Sequence, residues 1–137
     1  MSSEPVLPPV NAVPIVLVVE DHETSAEGYA QLLAGAGYRV ARAKNGYEAL
    51  AEVARAAPSI ILLDLKLPKL DGWDLLQRLK ADAPARSVPI IVITGDSLAT
   101  HHEMARSRGA VAVLSKPIDP AELLAVVRDQ LSIASIT

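Results

Sequence analysis

A chain of 137 residues with no cysteine, no phenylalanine, one tryptophan and a formal net charge of −3 is about one domain of polypeptide, and its core must be aliphatic. The acidic balance argues against nucleic acid as a partner, and the lack of cysteine excludes disulfides and thiolate metal sites and fits a reducing cytoplasm. No basic n-region opens the chain, and Pro5, Pro8, Pro9 and Pro14 break its early apolar stretch, so neither signal peptide nor membrane span is expected and the chain reads as soluble and cytoplasmic.

Taken in order, residues 1–14 are rich in proline, which lacks an N–H and has a fixed φ, and they read as a flexible leader before a folded domain over 15–132 and a tail over 133–137. Ile15 to Val19 is a short apolar run ending in Glu20 and Asp21. His22 to Ala36 carries a helical stripe of Ala26, Tyr29, Ala30, Leu32 and Leu33, stopped by Gly35 and Gly37. Tyr38 to Ala43 is a less apolar strand suited to a sheet edge, and Asn45-Gly46 turns into a helix over about Tyr47 to Ala56.

Ile60-Ile61-Leu62-Leu63 is apolar on both faces, as a buried strand of a parallel sheet would be, and it ends abruptly in Asp64. Gly72 opens a helix with Leu75, Leu76 and Leu79 inward, and Pro84 lies beyond its end. Pro89 to Thr94 is a further buried strand, Leu98 to Arg108 a polar helix, and Ala110 to Ser115 a fifth strand closed by Lys116-Pro117. Asp119-Pro120-Ala121-Glu122 is a helix start, with Asp as N-cap, Pro at the first helical position and Glu three after the cap. Leu123, Leu124, Val127 and Leu131 then form the last inward stripe.

Strands alternating with helices through short loops predict an α/β fold, a doubly wound five-stranded parallel sheet with helices on both faces. The flavodoxin-like strand order 2-1-3-4-5 is one of the two common topologies. A parallel sheet brings the strand ends to one edge, so Glu20, Asp21, Asp64, Thr94 and Lys116 would share a crevice. Carboxylates that close repel unless a hard cation such as Mg²⁺ offsets them. An acidic cluster with one lysine and one hydroxyl suits phosphoryl chemistry: cations neutralise phosphoryl oxygens, the hydroxyl bonds one, and a carboxylate oxygen can become the nucleophile of an acyl phosphate. Each residue also has a plain structural role available. Asp64 could close a turn, Glu20 and Asp21 could favour a helix start, Thr94 could cap a strand and Lys116 could be solvated; their joint placement favours the functional reading.

These residues resemble the receiver domains of two-component response regulators. The matching motifs are Val18-Val19-Glu20-Asp21, Leu62 to Gly72, Ile93-Thr94-Gly95 and Lys116-Pro117, and the likeness covers Ile15 to Leu131. The resemblance implies that Asp64 accepts a phosphoryl group from a histidine kinase or histidine phosphotransfer protein. It implies Mg²⁺ held by Asp21, Asp64, the Lys66 carbonyl and, largely through water, Glu20. Thr94 and Lys116 would bind phosphoryl oxygens, with the Gly95 and Lys66 amides completing the cradle. Enzymatic activity would be confined to Mg²⁺-dependent self-phosphorylation and autodephosphorylation, and the output would be contact with a downstream protein.

Two departures stand out. The family usually carries Tyr or Phe on the fifth strand three residues before the lysine, a ring that swings inward when the threonine moves; here that position is Val113, so any signal must travel by another route. The space for the ring could be filled by Val113 or left as a gap. After Leu131 only Ser132 to Thr137 remain, so a stand-alone receiver is expected. An aspartate-nucleophile phosphatase would need Asp-x-Asp-Gly-Thr where Glu20-Asp21-His22-Glu23-Thr24 stands, and no glycine-rich nucleotide loop occurs. The remaining alternative is a degenerate receiver that docks without phosphorylation. His101 and His102 are adjacent on a helix and face apart, which argues against a metal pair.

Overall fold

The apolar runs become five strands: β1 (Ile15–Val19), β2 (Arg39–Ala43), β3 (Ile60–Asp64), β4 (Ile90–Thr94) and β5 (Ala112–Ser115). They form one parallel sheet in the order β2-β1-β3-β4-β5, the flavodoxin-like order. Between and after them run α1 (Glu23–Gly35), α2 (Gly46–Arg55), α3 (Gly72–Ala81), α4 (Ala99–Ser107) and α5 (Pro120–Ile136). This computed structural model describes residues 13–82, 85–95 and 98–136. The expected leader over 1–14, apart from Val13 and Pro14, and Pro84 lie outside the described residues.

Side chains alternate across a strand, and that alternation divides the core into two layers. Leu17, Val19, Ile61, Leu63, Ile90, Val92 and Val113 face α2, α3 and α4 and pack with Ala49, Val53, Leu75, Leu76, Leu79 and Ala105. Val16, Val18, Ile60, Leu62, Ile91, Ile93 and Leu114 face α1 and α5, where Leu33, Leu123 and Val127 meet them. Every residue of β3 and β4 is buried, as continuous apolar runs in a doubly covered sheet require. β2 is exposed at Arg39 and Arg42, half-buried at Val40 and Ala41 and buried only at Ala43, which suits the edge it occupies.

Four helix starts are fastened by side chains. The His22, Asn45 and Asp71 side chains accept the backbone N–H groups of Ser25, Glu48 and Trp73, and the Asp119 carboxylate accepts that of Ala121 at 2.9 Å. The start of α4 falls at Leu98, which has no side-chain oxygen to offer and makes no side-chain cap. Gly37 takes a φ of 99° just past α1, the left-handed position that ends a helix, and the Tyr38 N–H turns back to the Leu33 carbonyl at 3.1 Å.

Element ends differ from expectation by a residue or two, because a ladder bond rather than an apolar side chain decides them. Pro89, Ala110 and Val111 fall outside the strands, although Val111 still donates to the Ile90 carbonyl at 2.9 Å. α5 continues to Ile136 through residues expected as a tail over 133–137; Ser132 to Ile136 contains neither Gly nor Pro to stop it.

Candidate functional site

Two positions beyond Val18, Leu62 and Leu114, all of which face α1 and α5, stand Glu20, Asp64 and Lys116. Strand periodicity thus sends these three side chains to the same side of the sheet edge. They meet there. Lys116 Nζ donates to Asp64 Oδ2 at 2.9 Å and to Glu20 Oε1 at 3.3 Å. Each carboxylate spends its other oxygen on the loop after its own strand: Asp64 Oδ1 accepts the Lys66 N–H at 2.9 Å and Glu20 Oε2 the His22 N–H at 3.2 Å. Asp64 therefore does close a turn, but the same carboxylate also holds the lysine that follows the fifth strand.

Glu20 and Asp64 are both only 3 % exposed, whereas the Lys116 side chain is 32 % exposed. Burial, then the hydrogen bond and charge of Asp64, push the Glu20 carboxyl up to about 7, against the opposing pull of the His22 N–H and Lys116. Burial alone would lower Lys116, but its bond to Asp64 and the two carboxylate charges hold the ammonium above its ordinary value. The pocket thus holds more negative charge than one lysine comfortably offsets.

Asp21 is exposed at the rim, yet oxygens of Glu20, Asp21 and Asp64 lie within 4.8 Å of one another. It is the one cluster of at least three metal-ligating side chains among the described residues. Two buried carboxylates and one open to solvent make an all-oxygen donor set with room for water, which fits Mg²⁺. The acid pair does not cap α1. His22 occupies the cap, its Nδ1 accepting the Ser25 N–H at 3.3 Å, so Glu20 is free to turn into the crevice.

The loop after β3 is held tightly against α3. The Gly72 N–H bonds the Leu65 carbonyl at 3.1 Å, and a Cβ on Gly72 would stand 2.4 Å from the Leu65 Cα, so only glycine fits. The loop carries Lys66, exposed above the site. Thr94 belongs to the opposite alternation, with Val92 and Val113, and is 7 % exposed at the end of β4. With Gly95 it lines a cleft of about 440 Å³ that also touches Lys66, Trp73, His101, Ala105 and Val113. The two histidines do diverge: His101 lines this cleft, and His102 Nε2 lies 3.5 Å from Ser115 Oγ.

Sequence reasoning did not place Tyr29 near the crevice. It sits half-buried on α1, and burial raises its phenol, with Lys116 opposing and Glu20 and Asp64 adding to the rise. Its place in the inward stripe of α1 was the available signal. The Lys116–Pro117 peptide is cis.

The fold and much of the sequence have counterparts in known proteins. The family model of the response regulator receiver domain matches residues 16–128. The polar-differentiation response regulator DivK of Brucella anthropi is 32 % identical over 116 residues, 85 % of this chain and 94 % of that protein. The receiver domain of the sensor histidine kinase PA1611 from Pseudomonas aeruginosa, solved with magnesium coordinated in its active-site cleft, superposes with a TM-score of 0.81 at 30 % identity, covering 88 % of this chain and 99 % of that one. The chemotaxis protein CheY4 of Vibrio cholerae gives a TM-score of 0.81 at 27 % identity, covering 86 % and 98 %. With that match over most of its length and the acidic crevice at the expected strand ends, this chain belongs to the response regulator receiver domain family of two-component signalling.

Proposed function

We propose that the chain takes a phosphoryl group from a phosphohistidine of a histidine kinase or phosphotransfer protein onto Asp64, and passes the signal on by contact with a downstream protein. One observation carries this reading: Asp64, buried at the end of β3, is bonded to Lys116 at 2.9 Å with the oxygens of Glu20 and Asp21 within 4.8 Å. In the transfer, an Asp64 carboxylate oxygen forms the new P–O bond while the P–N bond breaks, and the imidazole nitrogen leaves with the electron pair. Lys116 meets the developing negative charge on one phosphoryl oxygen, and the Thr94 hydroxyl with the Gly95 and Lys66 amides donates to the others. Asp21, Asp64, Glu20 through water and the Lys66 carbonyl would hold Mg²⁺, which when bound would neutralise carboxylate and phosphoryl charge. Later attack by water on phosphorus returns the free carboxylate, so the chain's own activity is confined to gaining and losing this group, in the cytoplasm, as one step of a phosphorelay.

Incubation with Mg²⁺ and a small acyl phosphate tests the reading. The expected result is one added phosphoryl group, sensitive to hydroxylamine, that is lost in Asp64→Asn. Undiminished labelling of that variant would overturn the assignment. The second reading, a docking module that needs no phosphoryl group, draws on Val113 standing where receiver domains usually carry a ring; it expects no labelling at all.

A further inference from the structure

The edge of the sheet opposite Asp64 carries a second groove, of about 450 Å³. Ser59, Pro89 and Val111 each stand just before β3, β4 or β5, so the groove crosses the N-terminal ends of those three strands. Gln130 and Ile133 of α5 close one side of it, and Lys80 near the end of α3 closes the other. Its lining is mixed: Val88, Pro89, Val111 and Ile133 are apolar, while Ser59, Ser87 and Gln130 bring hydroxyl and amide groups. Of the six large hydrophobic side chains exposed among the described residues, Val13, Val111 and Ile133 belong to this edge. The chain also enters the sheet here, because the Ile15 N–H bonds Ser59 Oγ at 3.1 Å and the Pro14 carbonyl accepts the Arg39 N–H at 3.0 Å.

We propose that residues 4–10 of this chain, which lie outside the described residues, cross the groove in polyproline II form, with Val6 and Leu7 against Val111 and Ile133 and with Glu4 at Lys80. Pro5-Val6-Leu7-Pro8-Pro9-Val10 is a proline-rich apolar run whose fixed φ values favour that conformation. Polyproline II makes no internal hydrogen bonds, so its carbonyls need outside donors, and the Ser59, Ser87 and Gln130 side chains offer them between apolar contacts. The reach is sufficient. Three strand spacings separate β1 from β5, about 14 Å, and six residues of polyproline II cover ~19 Å. Charge agrees in sign and in place. Glu4 is the one charged side chain before Val13, and Lys80 is the one charged residue lining the groove. Lys80 lies toward β5: its stem fills the space beside Gly109, where an added Cβ would stand 2.7 Å from the Lys80 Cγ. Its ammonium donates to the Arg86 and Val88 carbonyls at 3.0 and 3.2 Å, which uses two of its three N–H groups. A segment tethered at Val13 meets the groove at an effective concentration on the order of millimolar, which favours the chain's own residues over a second copy.

The chain has no cysteine, so Ser3→Cys gives the full chain a single attachment point for a nitroxide, whose broadening of amide NMR signals reports where residues 4–10 lie. The comparison is between Arg39, on the strand beside β1, and Val111, at the start of β5 three strands away. A segment that stays off the groove broadens Arg39 more, because Arg39 is nearer the point of entry. The expected result is the reverse, with the Val111 and Gln130 amides losing more intensity than that of Arg39. Leu7→Ser, and Ile133→Ser at a side chain that is 57 % exposed and so not needed for folding, should each restore the order set by distance from β1. Broadening of Arg39 at least as strong as that of Val111 overturns the proposal, and so does an order that neither substitution changes. Broadening of Val111 in isotope-labelled chain without nitroxide, mixed with unenriched chain that carries it, also overturns the proposal, since a second copy then fills the groove. None of these readings involves Asp64, so the proposal and the phosphoacceptor assignment stand or fall separately.

Discussion

The two sides of the sheet edge differ in how firmly they are held. On the α1 and α5 side, Glu20, Asp64 and Lys116 form a closed set in which each carboxylate oxygen meets a backbone N–H or the ammonium. On the α4 side, Thr94 and Val113 border an open cleft, and the helix above it begins without a side-chain cap and buries only Ala105. The difference separates two tasks within one strand period. The first side holds charge in place for chemistry, which needs fixed donors. The second buries little of its helix, which is where a low-cost change of conformation can occur.

Removing the ammonium should hurt most. Lys116→Ala leaves two buried carboxylates facing each other, and in metal-free solution at pH 8 we expect a loss of about 2–3 kcal/mol, below the full figure for a buried pair because the lysine is partly exposed. Mg²⁺ should restore much of it by mass action. Denaturant unfolding with and without Mg²⁺ measures both, and a loss no larger than that of an average surface change would mean the crevice is not the firmly held side.

A smaller effect should follow from pH. Glu20 sits at about 7 in the folded chain against an ordinary value of 4.5, so the folded state keeps a proton that the unfolded state releases. Its contribution is fully present below about 4.5 and lost as pH rises through about 7, the reverse of an acid whose folded state holds it below its ordinary value. Thermal melts of metal-free protein should therefore fall over that window by on the order of 2 kcal/mol, and Glu20→Gln should flatten the slope. A parent stability that rises across the same window would contradict the charge balance described for the crevice.

The smallest change bears on the other side. Leu98 is exposed and already has extended dihedrals suited to a cap, so Leu98→Asp should add about 0.5–1 kcal/mol. Amide hydrogen exchange in the first turn of α4 should slow with it. If exchange there is already as slow as in α3 before the substitution, the contrast between the two sides is wrong.

Much of this was readable from residues in order. Ile60 to Asp64 and Ile90 to Thr94 are apolar throughout because both faces are covered, and the carboxylate or hydroxyl at each end could only lie outside the core. The cap of α1 was not readable, because a histidine nitrogen does there what a serine or aspartate oxygen usually does. Tyr29 escaped notice because its distance from the crevice depends on how α1 lies across the sheet, which no local pattern encodes. The run of α5 to Ile136 was underestimated because its last residues lack a clear stripe, while nothing in them breaks a helix.

What residue order alone settled was the alternation of strands and helices and the set of polar side chains gathered at one edge, while it narrowed the strand order to one of two common topologies, since apolar periodicity and parallel topology leave few other arrangements. Which of those side chains touch was decided by the ladder register: two-residue periodicity puts Glu20, Asp64 and Lys116 on one side and Thr94 with Val113 on the other. The tertiary structure alone decided what became of the space beside Val113. That space depends on the small side chain of Ala105 and on the direction in which α4 presents His101, and packing between distant segments sets both.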